Sequence, residues 1–195
     1  MGTDVSMYAE VRWKGRWHLA EPLEQANLSL DGIDGLKPKE IYSTRCYALF
    51  AILADVMNPM RAIEPFDCIS KPRGFPLDAS DELRDWYSNF QGAVFAESWL
   101  LLRELLDFDW HGKRIHRRGV VDGNIAHLFR SGRFPPPSEW PNGQIGVADQ
   151  GVGVEVKWID TYAEAVDREF MERTLKTLSS FGQPDEVRIV FWFDR

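Results

Sequence analysis

The chain reads as a single α+β domain spanning residues 1–195. Three observations predict this. Residues 7–21 and 187–193 carry strand patterns, so both ends of the chain supply strands. The middle carries helical spacing of apolar residues. No run of alternating strand and helix units occurs, and no glycine-rich phosphate loop, which argues against a doubly wound parallel sheet. The expected sheet is antiparallel or mixed. It is built from the N-terminal hairpin and a C-terminal β-α-β segment and packs with the helical middle.

The elements follow in order. Over 7–21, Val11 and Trp13 alternate with Glu10 and Arg12, and Lys14-Gly15 makes the hairpin turn. Residues 22–39 are rich in Gly, Asp and Pro and read as a long surface loop. Tyr42, Cys46, Leu49, Phe50, Leu53, Val56 and Met57 recur at helical spacing, predicting a central helix over 42–57 capped by Ser43 or Thr44. Residues 60–80 hold Pro65, Pro72, Gly74 and Pro76 and read as an ordered loop, after which Ser80 caps a short helix over 81–89. A second helix is expected over 97–108. A short strand over 115–121 and a short helix over 124–131 follow. Residues 139–153 read as loop. Val154, Val156 and Trp158 alternate with charges in a strand over 154–162. Phe170, Met171, Leu175 and Leu178 give a long amphipathic helix over 163–180, closed by a Gly182 cap. The final strand, 187–193, is apolar on both faces and therefore central.

Composition narrows the function. Lys and Arg number 23 against 30 Asp and Glu, a formal charge of −7, so binding to bulk nucleic acid or an anionic membrane surface is not expected. No apolar stretch approaches the roughly 18 residues of a membrane span, and the N-terminus carries no leader pattern. Two cysteines, Cys46 and Cys68, make neither a disulfide framework nor a four-cysteine zinc site. A cytoplasmic protein is the expectation.

Charge is unevenly spread. Residues 110–134 carry a net +5, leaving −12 on the remainder, and His111, His116 and His127 lie in the same window. A local positive field on an acidic body suits one small anion, and Arg grips phosphate or carboxylate with two parallel hydrogen bonds. Paired surface charges would give the same pattern. Arg45 has apolar residues at i+4 and i+7, Leu49 and Ile52, so it must be paired or serve a ligand. The expected site lies where the basic window meets the central helix. Arg45, Arg114, His116 and Arg118 are its main members, Arg73 assists from a loop constrained by Pro72 and Gly74, and Trp110 is the stacking surface. Spacing gives no metal site, and no cofactor is expected; Glu164, Asp167, Glu169 and Glu172 read as a solvated helix face.

Several segments together are distinctive: residues 7–17, Tyr42-Ser-Thr-Arg-Cys-Tyr-Ala-Leu-Phe-Ala-Ile-Leu-Ala-Asp55, Pro72-Arg-Gly-Phe-Pro76, Ser98-Trp-Leu100 with Glu104-Leu-Leu106, and residues 185–194. They resemble an uncharacterised family of bacteriophage and bacterial proteins with no assigned activity. Where members of that family have a histidine-rich stretch before Ser-Trp-Leu, this chain has Phe95-Ala-Glu97. The resemblance implies a phage-type accessory protein acting in a bacterial host cell.

Three function classes follow. The leading expectation is a protein that binds a small anionic, nucleotide-like ligand, or a bacterial defence protein, without catalysis, as in evasion of host defence. One alternative is a metal-independent enzyme acting on a nucleotide or phosphoester with a His acid/base. The other is a structural or assembly protein, and a homo-oligomer is compatible with each.

Overall fold

A computed structural model describes residues 2–26, 35–60, 62–141, 146–148 and 151–194. Residues 27–34 of the loop expected over 22–39, and residues 142–145 and 149–150 of that over 139–153, lie outside the described residues. In chain order the elements are β1 (Val5–Trp13), β2 (Arg16–Leu19), β3 (Glu24–Gln25), β4 (Leu36–Lys37), α1 (Tyr47–Ala54), α2 (Asp81–Ser88), β5 (Val94–Leu101), α3 (Leu102–Asp107), β6 (Arg114–Val121), β7 (Val154–Thr161), α4 (Tyr162–Ala165), α5 (Leu175–Phe181) and β8 (Val187–Asp194). The class is α+β. Contacts group the chain into two compact units. One comprises Met1–Cys46, Cys68–Phe108 and Arg168–Arg195; the other comprises Tyr47–Asp67 and Asp109–Asp167.

The first unit is built on a four-stranded antiparallel sheet of order β2-β1-β8-β5. The N-terminal hairpin and the C-terminal strand share it, as the strand patterns predict. The hairpin turn uses Lys14 and Gly15, both at positive φ (49° and 80°), which suits a tight connection between twisted strands. β8 lies between β1 and β5, and its seven residues Val187–Phe193 are all buried. Side chains alternate across the sheet. One face presents Val5, Met7, Ala9, Leu100, Ile189, Phe191 and Phe193, all buried. Phe170 and Leu178, from the π-helical turn at Glu169–Thr174 and from α5, are buried in this unit as well. Toward one end of the other face, Tyr8, Val190 and Trp192 pack with Leu83 and Trp86 of α2, and Phe75, Tyr87, Phe90 and Trp99 flank them. Trp86 Nε1 donates to the Tyr8 hydroxyl (2.9 Å), which donates to Glu40 (3.0 Å).

In the second unit β6 and β7 pair antiparallel from Arg114↔Thr161 to Val121↔Val154. Val121, Ile125, Phe129, Trp140, Val156 and Trp158 form its core. Helix α1 is apolar all round and buried from Ala48 to Ala54. Gly132 ends a 3-10 turn at Ala126–Ser131 with φ 72°, a left-handed conformation that glycine adopts at no steric cost.

Several elements differ from expectation. The segment read as a helix over 97–108 is strand through Leu101 and helix only from Leu102. Ser98 and Leu100 point to one face and Trp99 and Leu101 to the other, and pairing with β8 overrides helical propensity. The central helix begins at Tyr47; Tyr42 instead bridges Met7, so Ser43 and Thr44 cap nothing there. The helix expected over 163–180 divides into α4, a π-helical turn and α5, with Val166 extended between the first two. Strand β7 pairs with β6 in a sheet of its own rather than joining β8. Ser80 precedes α2 without a side-chain cap, and Gly182 is extended rather than left-handed.

Candidate functional site

The six sequence candidates fall in both units. Arg45 precedes α1 in the first unit. It is about half exposed and makes a bidentate pair with Asp4 (2.7 and 2.6 Å), so it is a surface pair rather than a buried helix charge. Arg73 is heavily committed. Its Nε donates to Ser70 Oγ, Nη1 to the Trp99 carbonyl and to Glu104, and Nη2 to the other Glu104 oxygen. That pairing holds the Glu104 carboxyl below its ordinary value.

The other four are in the second unit. Trp110 is 5% exposed, so it offers no open face to a stacking ring; its indole belongs to the interior. Arg114, His116 and Arg118 stand at alternate positions of β6, which places them on one exposed face. Lys157 is directly opposite Arg118. Glu64 Oε1 accepts from the His116 backbone N–H (2.9 Å) and lies 2.7 Å from His116 Nδ1. These hydrogen bonds, the backbone one foremost, hold Glu64 below the usual carboxylate range. Among the described residues no group of three His, Cys, Asp or Glu side chains is arranged to hold a metal, and no helix is long and apolar enough to cross a membrane.

A different constellation adjoins the Tyr8–Trp192 cluster on the same face of the first unit's sheet, with Phe75 and Trp99 common to both. Strand register places Arg12 opposite Trp17, Glu10 opposite Arg188, and Leu101 opposite Arg188. Cations and indoles alternate along the resulting chain of contacts, Arg12, Trp17, Arg188, Trp99 and Arg73. Arg73 lies 4.8 Å from the Trp99 ring, Arg188 lies 5.8 Å from Trp99 and 4.1 Å from Trp17, and Arg12 lies 5.8 Å from Trp17. Such contacts strengthen when desolvated.

Arg188 is the centre of this ladder and is 2% exposed. Its Nε donates to Glu10 Oε2 (2.8 Å) and its Nη1 to Asp78 Oδ1 (2.8 Å). Its Nη2 lies 2.7 Å from Glu10 Oε2, close enough to attract but without hydrogen-bond geometry. Glu10 is fully buried, and its second oxygen accepts from the Ser80 N–H (2.7 Å). These side chains border a groove of about 470 Å³ that Arg12, Trp17, Arg73, Asp78, Trp99 and Arg188 help to line, with Phe75, Pro76 and Leu77 adding apolar wall. The volume is in the range of small-molecule sites. Arg12, unlike Arg73, makes no ion pair among the described residues; its guanidinium faces the Trp17 ring, and its charge adds to the Arg103 hydrogen bonds that lower the Asp185 carboxyl.

Of the sequence candidates only Arg73 borders this groove. Arg12, Trp17, Trp99 and Arg188 were not singled out. A signal was present: Arg188 is a lone charge in an apolar strand, and Glu10 is the complementary charge on a strand expected in the same sheet. Comparison with known protein families, characterised proteins and solved structures finds no match for this chain.

Proposed function

We propose that this chain is a phage-type accessory protein that binds a small, planar, anionic ligand of nucleotide type, without catalysis, in the Arg12–Arg188 groove. One observation carries the reading. Arg12, whose guanidinium makes no ion pair among the described residues, borders a groove walled by the Trp17 and Trp99 indoles and by Phe75, Pro76 and Leu77. A guanidinium fork favours oxyanions, and the indoles and apolar wall favour a flat ring. The resemblance to phage proteins supports the accessory role.

The experiment is native mass spectrometry of protein purified from bacteria, followed by calorimetric titration with nucleoside monophosphates. Arg12→Ala should weaken binding about tenfold or more, since a charge-assisted hydrogen bond contributes about 1.5–3 kcal/mol. Unchanged affinity in a folded Arg12→Ala variant refutes the site. A second reading, a metal-independent phosphoester enzyme, draws on the Glu64–His116 pair flanked by Arg114 and Arg118. Turnover that is lost in His116→Ala and retained in Arg12→Ala would favour it.

A further inference from the structure

The groove is not uniformly basic. Asp78 and Asp185 line it alongside the three arginines. A ligand that offered only anionic oxygens would meet repulsion there, so a well-matched ligand must also donate hydrogen bonds. The two carboxylates are not equivalent. Asp185 is clamped by both arms of Arg103. Asp78 accepts from Arg188 Nη1 at Oδ1 and from Trp17 Nε1 at Oδ2 (3.1 Å), its own backbone N–H also favours the charged carboxylate, and its side chain is 67% exposed. An ionised carboxylate has about four acceptor positions, so acceptor capacity remains on its exposed side. The Arg188 and Trp17 donors also fix the plane of the carboxylate and keep it ionised at neutral pH, below its ordinary value despite desolvation.

From this we infer that the ligand is a guanine nucleotide, with Asp78 reading the base and Arg12 the phosphate. The inference rests on the function proposed above and deepens it. Among the common bases, guanine alone presents two adjacent donors, N1–H and the 2-amino group, which match the two oxygens of one carboxylate. Adenine and cytosine set a ring acceptor beside their amino group, and that lone pair would face the carboxylate. Uracil has one N–H between two carbonyls. A site built to accept hydrogen bonds discriminates strongly against a base edge lacking the donors, because the mismatched polar groups are left unpaired.

The test is calorimetric titration of the full chain with GMP, IMP, AMP and inorganic phosphate at fixed ionic strength. The expected order is GMP tightest, IMP roughly tenfold weaker for lack of the 2-amino donor, and AMP weaker than GMP by roughly tenfold to a hundredfold. Asp78→Asn should bring GMP and AMP to similar affinity, because the amide replaces one acceptor with a donor. Equal GMP and AMP affinity in the parent, with both weakened in Arg12→Ala, overturns the guanine assignment and leaves the function reading intact. Absence of nucleotide binding overturns both. A GMP preference that persists in folded Asp78→Asn overturns the role of Asp78. Should that variant fail to fold, the ranking of GMP, IMP and AMP on the parent decides the guanine assignment by itself.

Discussion

Glu10 and Arg188 provide the sharpest test of the architecture. Both side chains are essentially out of water, facing each other across β1 and β8. Taking one partner away leaves the other as an uncompensated buried charge, which costs about 3–5 kcal/mol. Glu10→Ala removes in addition the acceptor for the Ser80 N–H, so the upper half of that range is expected. Asp78→Ala should cost far less, about 1 kcal/mol, because the Asp78 side chain is mostly exposed and solvent screens its pairing with Arg188. The double variant Glu10→Leu with Arg188→Met should recover most of the loss, since a buried ion pair is often replaced by apolar groups at no net cost. The assay is urea unfolding followed by far-UV circular dichroism and by tryptophan emission, to which Trp17 and Trp99 beside Arg188 contribute. With a slope of about 2 kcal/mol per molar urea, the Glu10→Ala midpoint should fall by about 2–2.5 M. A shift corresponding to less than about 1 kcal/mol, or a double variant no better than Glu10→Ala, would show that the pair does not constrain the sheet.

Other predictions concern acid, a cap and a close approach. Glu64, Asp78, Glu104 and Glu164 all titrate below their ordinary values when folded, chiefly through hydrogen bonds from His116, Arg188, Arg73 and Thr161 respectively, with burial opposing the fall in Asp78 most of all. Their contribution is therefore complete above the ordinary carboxylate range and is lost as pH drops through the lower folded values, so thermal melts should be flat near neutrality and fall below about pH 4.5; a melt that holds steady to pH 3 would contradict this. Thr161 and Glu164 exchange hydrogen bonds at the start of α4 (2.8 and 3.2 Å), so Thr161→Ala should cost about 1 kcal/mol in urea unfolding. A Cβ on Gly153 would come within 2.4 Å of the Val121 carbonyl oxygen, so Gly153→Ala should destabilise the β6–β7 end by about 1–3 kcal/mol, read as a lower melting temperature.

Much of the fold was legible in the residues alone. The alternation around Lys14-Gly15 determines the hairpin, the run of 187–193, apolar on both faces but for Arg188, determines a central strand, and the lack of βα repeats determines the α+β class, because these depend on local periodicity and on which faces must leave water. The residues 98–106 illustrate the limit. Leu, Trp and Ser satisfy helical and strand spacing alike, and the choice was made by β8, whose free edge Trp99 and Leu101 satisfy. The candidate site shows the same division. Sequence spacing places His116 and Arg118 on one strand, because strand periodicity is local; Arg114, read as part of the preceding turn, joins that strand by pairing with Thr161. It could not pair Glu10 with Arg188, since 178 residues separate them and only strand register makes them neighbours. The burial of Trp110 and the choice between the alternatives open to Arg45 lie beyond the sequence for the complementary reason. Whether an indole is covered, or whether an arginine pairs with Asp4 41 residues away, is decided by packing between separate segments, which no local pattern encodes.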